Sequence, residues 1–295
     1  MHAADLARGG AFAAWLVLAC ASPPALPTQN ELTTAAWCDR AIDRSADVII
    51  HVDLSAPTAQ GPLRNAIIDQ LLAVVASTLD NGPDLHRPVE AASEMILAAP
   101  IAGDPVVILR DVPLTLDPRA IPSIDGSTQF RLRSVEEYVE YNYTPATGLL
   151  FVLRDGTWIL SAGRSAQTLK NAIVTAGGAP VLPKREPGPL ATVYFPGAAL
   201  HAIAAKERLK LLAPVFVRAS SLDATLSNDA VAELHLHYGT EAESLESHAL
   251  LVDVARAYAR QGSWLGAAKL SRESTTVSAT VTIPPEALTH FGDAY

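Results

Sequence analysis

Residues 149–162 read Leu149-Leu150-Phe151-Val152-Leu153-Arg154-Asp155-Gly156-Thr157-Trp158-Ile159-Leu160-Ser161-Ala162. Two apolar, β-rich runs flank Asp155-Gly156, and glycine takes positive φ without steric cost, so the stretch predicts two antiparallel strands closed by a tight hairpin. Ser165 then caps a helix carrying Leu169, Ile173 and Val174, which stops at Gly177-Gly178.

Working back from this hairpin, residues 130–143 are strand-like and aromatic, and a short helical turn is expected at Asp117-Pro118. Residues 95–101 and 106–112 flank Ala102-Gly103-Asp104-Pro105 as a second hairpin. Gly61-Pro62 opens a helix with Leu63, Ile67, Leu71, Val74 and Val75 as its buried stripe, ending at Asn81-Gly82-Pro83. Before it, residues 48–54 alternate as a strand, with Val48, Ile50, Val52 and Leu54 on one face and Ile49, His51 and Asp53 on the other. A short helix fits 32–44.

Downstream, Pro180, Pro183, Pro187 and Pro189 fall with Gly188 among Lys184, Arg185 and Glu186, which bars helix and predicts a seam over 179–189. The second half then replays a shortened version of the first plan. A strand over 191–195 leads to a helix over 198–212, a hairpin of 215–226 with 230–238, and a long helix over 240–261. Leu245, Leu250, Leu251, Val254 and Tyr258 of that helix are offered to the core. Strands over 265–270 and 275–283 follow, with a closing helix from Pro284. The expected fold is α+β: two tandem domains of antiparallel sheet packed with helices, 32–178 and 190–295, whose shared element order suggests duplication.

The chain has 295 residues, of which 49% are hydrophobic and 18% charged, far from the composition of disordered chains and enough for two cores. Its formal net charge is -9, and no run of Lys and Arg interleaved with aromatics occurs, so nucleic acid is excluded as a partner.

Residues 11–20, Ala-Phe-Ala-Ala-Trp-Leu-Val-Leu-Ala-Cys, form an apolar run behind the single cation Arg8. It is too short for a bilayer core, which needs about 20 residues, and reads as the heart of a signal peptide, residues 1–19. Leu16-Val17-Leu18-Ala19-Cys20 resembles the lipobox of bacterial lipoproteins, which implies diacylation of Cys20 and a mature chain tethered to the membrane through residues 20–31, a proline-rich stretch. The alternative is cleavage after Ala21 and a soluble secreted protein. Either route leaves Cys38 without an intrachain partner. The strand at 46–54, the strand entering a helix over 156–165 and the strand and helix over 277–291 resemble uncharacterised lipoproteins of myxobacterial type. That resemblance implies a two-part α+β lipoprotein facing the periplasm or the exterior, and carries no chemistry.

One pattern has the form of a metal set. On a strand Glu233, His235 and His237 share a face, while Leu234, Leu236 and Tyr238 take the other; two imidazoles and a carboxylate suit zinc. The same alternation is what any half-solvated strand shows. His51 and Asp53 share a face within hydrogen-bond reach, and Glu136, Glu137 and Glu140 lie among Tyr138, Tyr141 and Tyr143. The chain carries no Gly-x-Ser-x-Gly, His-Glu-x-x-His, Cys-x-x-Cys, phosphate loop or Ser-x-x-Lys. The sequence therefore names no catalytic residue and no cofactor. It points to a non-catalytic envelope component with a protein or glycan partner, and a metal-dependent hydrolase built on Glu233, His235 and His237 stands as the alternative.

Overall fold

The computed structural model describes residues 47–55, 62–78, 84–100, 105–121, 129–134, 138–144, 149–153, 156–161, 188–204, 212–284 and 287. The leader, Cys20, the tether, Cys38, the helices expected over 32–44 and after Ser165, and most of the closing helix lie outside them. The chain divides into two compact units, with the main division between Gly188 and Pro189. Among the described residues one unit holds 47–55, those of 67–161 and 188, and the other 62–66 and those of 189–287.

In the first unit the elements run β1 (Asp47–Asp53), α1 (Pro62–Thr78, of which residues 67–78 belong here), α2 (His86–Ala91), β2 (Glu94–Pro100), β3 (Val106–Arg110), β4 (Gln129–Ser134), β5 (Tyr138–Thr144), β6 (Leu149–Leu153) and β7 (Trp158–Ser161). A 3₁₀ turn, Pro118–Ala120, stands before β4, with the Asp117 carboxylate accepting from the Arg119 backbone N–H. The strands lie in the order β1-β2-β3-β7-β6-β5-β4, every pair antiparallel. The strand-like stretch expected over 130–143 is two strands, β4 and β5, with Gln129 opposite Thr144.

The hairpin at 149–162 forms, with Leu149 opposite Ser161 and Val152 opposite Trp158, so its connection is longer than a two-residue Asp-Gly turn. Gly156 has φ +84°, and a Cβ there would lie 2.6 Å from the Val112 carbonyl oxygen. Glycine is required twice over, for handedness and for this close approach, which the Val112 N–H seals by donating to the Gly156 carbonyl at 3.0 Å. β7 brings Trp158, Ile159 and Leu160 against Val107, Ile108 and Leu109 of β3, all buried, so the middle of the sheet is apolar on both faces. Helix α1 buries Leu63, Ile68, Leu71 and Leu72, with Ile67 only half-buried. Leu63 and Leu71 of the expected stripe are thus buried and Ile67 is half-buried, while Ile68 and Leu72, each adjacent to an expected position, widen the buried face; the burial of Val74 and Val75 lies outside the description.

The second unit runs β8 (Ala191–Pro196), α3 (Gly197–Ala204), α4 (Ala213–Phe216), β9 (Ala219–Leu226), β10 (Val231–Tyr238), α5 (Glu241–Arg260), β11 (Lys269–Glu273) and β12 (Thr276–Thr282). The sheet order is β8-β9-β10-β12-β11, again antiparallel throughout. Pro214 starts the α4 turn, so Val215 and Phe216 are helical and β9 begins later than expected. Likewise residues 264–267 make a 3₁₀ turn capped by Ser263, and the strand expected over 265–270 starts at Lys269.

Helix α5 opens on a complete capping box, in which the Thr240 hydroxyl accepts from the Glu243 N–H and the Glu243 carboxylate accepts from the Thr240 N–H. It packs on β10, β11 and β12, yet Leu245 and Leu250 stay exposed and the side chains it buries are Ser244 and Ser247. Small residues let the helix approach the sheet closely. Ser244 keeps its hydroxyl satisfied there by donating to the Glu241 carbonyl at 2.9 Å or the Ser274 carbonyl at 2.7 Å. Gly266 lets the 3₁₀ turn approach α5 as closely, since a Cβ on it would lie 2.3 Å from Ala259 Cα.

Both units run strand, two helices, strand, strand, with these three strands adjacent in the same order and the third flanked by a later strand, β7 or β12.

Candidate functional site

Two clusters of polar side chains stand out among the described residues. The first lies across β1, β2 and β3. The ladder sets Asp53 opposite Glu94 and Glu94 opposite Arg110, and His51 two residues along β1 falls diagonally to Glu94. The expected His51–Asp53 pair does not form. Instead His51 Nε2 bonds the Glu94 carboxylate, Arg110 donates to its other oxygen at 2.6 Å, and Asp53 accepts from the Ser55 N–H at 3.0 Å and hydroxyl at 2.7 Å. Asp53 instead closes a local turn on Ser55, which donates both its N–H and its hydroxyl to it.

Burial would push the Glu94 carboxyl up. The hydrogen bond and charge of His51, followed by those of Arg110, outweigh it and hold the group down at about 2. Glu94 and His51 are buried and Arg110 nearly so. A carboxylate so engaged on both oxygens is a structural anion, clamping three strands with charge-assisted bonds.

The second cluster lies on β9, β10 and β12. Along β10, Ala232, Leu234, Leu236 and Tyr238 are buried and Glu233, His235 and His237 half-buried, so the three expected residues do share a face. The ladder then decides their neighbours. His237 stands opposite Thr276 on β12 and His235 opposite Ser278, while on β9 Asp223 stands opposite His235. His237 spans the two flanking strands, with Nδ1 3.2 Å from Thr276 Oγ1 and Nε2 2.9 Å from Asp223 Oδ2. His235 Nδ1 lies 2.9 Å from Ser278 Oγ. Glu233, one repeat further along, faces Thr225 and Thr280, so it is not the carboxylate His237 meets. As the side chains stand, no three His, Cys, Asp or Glu among the described residues converge to hold an ion.

Sequence reasoning therefore found β10 and its imidazoles but missed Asp223, Thr276 and Ser278, which only cross-strand register brings in. Glu94 and Arg110 were missed for the same reason. Of the other candidates, Glu136 and Glu137 lie outside the described residues, and Glu140 with its neighbouring tyrosines is on β5. His86 is exposed, 2.6 Å from Asp84, whose carboxyl is held below its ordinary value first by the His86 backbone N–H. No described helix is long and apolar enough to cross a membrane.

The chain is an antiparallel α+β protein with helices packed on sheet in each of two units. Its fold is similar to that of TP0453: crystal form III gives a TM-score of 0.51 at 13% identity, covering 86% of this chain and 97% of that one. Crystal form I of TP0453 gives 0.48 at 11% identity over 87% and 96%. No family model matches the chain, and no curated protein matches it. At this identity the likeness concerns fold alone.

Proposed function

We propose that the protein is an exported envelope lipoprotein, anchored by acyl chains on Cys20 and acting as a non-catalytic binding or scaffolding component with a protein or glycan partner. The observation that carries the reading is Leu16-Val17-Leu18-Ala19-Cys20 at the end of a ten-residue apolar run, followed by a proline-rich stretch. Thioether formation needs the thiol, and two acyl chains with an amide-linked third hold a protein where one chain binds marginally. The net charge of -9 is repelled by anionic headgroups, which favours a tether over surface docking.

Mass spectrometry of the N-terminal peptide tests the anchor. A triacylated Cys20 is expected, and a Cys20→Ser variant should leave the membrane fraction or accumulate uncleaved. A mature protein beginning with a free amine at Ser22 would overturn the proposal.

A further inference from the structure

We propose that the protein forms an isologous dimer in which β11 pairs with β11 of a second copy, antiparallel about a two-fold axis at Ser271, so that the sheets of the two second units run on as one. The interface goes beyond the envelope role and does not depend on it. Among the described residues β11 ends its sheet and pairs on one side only, with β12. Lys269, Ser271, Arg272 and Glu273 are exposed. An unpaired edge is a template for another strand, and charges on it ordinarily block that pairing. Here they select one register.

The phase of the main chain comes first. The Thr275 carbonyl accepts from the Tyr238 N–H at 3.0 Å, on the β10 side. Successive residues of a strand turn their N–H and C=O to opposite sides, so Thr276, Ser278 and Thr280 turn theirs to β11, opposite Glu273, Ser271 and Lys269. The two-residue turn Ser274-Thr275, with Ser274 at φ 50°, agrees, because the pair closing such a turn exchanges both bonds. Leu270 and Arg272 therefore carry their N–H and C=O groups on the outer edge. In an antiparallel pair centred on Ser271, each Leu270 stands opposite the second copy's Arg272, and both exchange main-chain bonds on either side of the axis.

The same register sets Lys269 opposite the second copy's Glu273 at both ends, making two pairs of opposite charge. A slip of one residue either way opposes an outward-turned residue to an inward-turned one, and in one direction sets Lys269 against Arg272. A slip of two sets Arg272 against its own copy or, the other way, leaves both Lys269–Glu273 pairs unmade.

Helix α5 points to the same partner. It packs on β10, β11 and β12, with its Glu241 carboxylate accepting from the Ser274 hydroxyl at 3.4 Å past one end of β11 and Ala259 meeting Gly266 before the other. Glu241 and Ala259 lie about five turns apart and so mark one stripe, on which Leu245, Val252 and Arg256 also fall. Leu245 is 57% exposed there. Ser244 donates to the Ser274 carbonyl, and Ser271 lies about 10 Å back along β11, level with about residue 250 of the helix. The two-fold thus lays the two copies of α5 side by side and antiparallel, and Leu245 of each is covered by the Arg256 stem of the other. Helices centred between β11 and β12 would stand about two strand spacings apart, roughly 10 Å, which is the distance at which helices pack.

Sedimentation equilibrium of the full chain is expected to give the mass of two chains. Lys269→Glu and Glu273→Lys should each weaken the dimer at least tenfold by opposing like charges, and the double variant should restore it, since each copy then offers the reversed pair. Ser271→Cys stands opposite itself with about 4.5 Å between Cα atoms, within disulfide reach, so mild oxidation should cross-link two chains that also carry Cys20→Ser and Cys38→Ser. A single-chain mass at every concentration, a dimer that neither reversal weakens, a double variant that stays monomeric, or Ser271→Cys chains that do not cross-link would each overturn the assignment.

Discussion

Replacing Glu94 with glutamine keeps the shape of the side chain and removes its charge from between His51 and Arg110. The wild-type carboxyl falls from an ordinary 4.5 to about 2. At 1.36 kcal/mol per pH unit this corresponds to stabilisation on the order of 3 kcal/mol at neutral pH, similar to the cost of breaking a buried ion pair. The sign follows from the direction. A carboxyl lowered by folding contributes fully above its unfolded value near 4.5, and the contribution is lost as pH falls from there toward 2. Urea unfolding followed by tryptophan fluorescence suits the measurement, since Trp158 is buried in the same sheet. Glu94→Gln should lose on the order of 3 kcal/mol at pH 7, and the gap to wild type should narrow steadily between about pH 5 and pH 2. A variant within about 0.5 kcal/mol of wild type at pH 7, or a gap that does not change with pH, would refute the clamp.

Gly156→Val places a β-branched side chain at φ +84° and 2.6 Å from the Val112 carbonyl; a loss of more than about 1 kcal/mol is expected in the same unfolding assay, and a neutral result would mean the loop adopts another path. Gly266→Ala drives a methyl to 2.3 Å from Ala259 Cα, so a loss of about 1–3 kcal/mol should appear as a lower thermal midpoint, with an unchanged midpoint ruling out the close approach of the 3₁₀ turn to α5.

Local chemistry was legible where a residue speaks for its own position. Asp155-Gly156, the start of the long helix at Thr240 and the alternation along β10 depend on neighbours a few residues away, and the hairpin, though with a longer connection than a two-residue turn, the helix start and the shared face of Glu233, His235 and His237 follow. Amphipathic helices were harder. Of the five residues offered to the core of α5, Leu251, Val254 and Tyr258 are half-buried but Leu245 and Leu250 are exposed, and the fully buried positions are Ser244 and Ser247, whose small size lets the helix near the sheet and carries no apolar signal.

The sequence by itself therefore determined the antiparallel α+β class, most strands and the identity of the imidazole-bearing face, because period-two alternation and turn chemistry are local. Tertiary structure alone decided which carboxylate meets which cation. Glu94 is 43 residues from His51, and Asp223 is 14 from His237 and on a different strand. Those pairings depend on strand order and register, which arise from packing the whole sheet, and a one-residue slip would turn every one of these side chains to the opposite face.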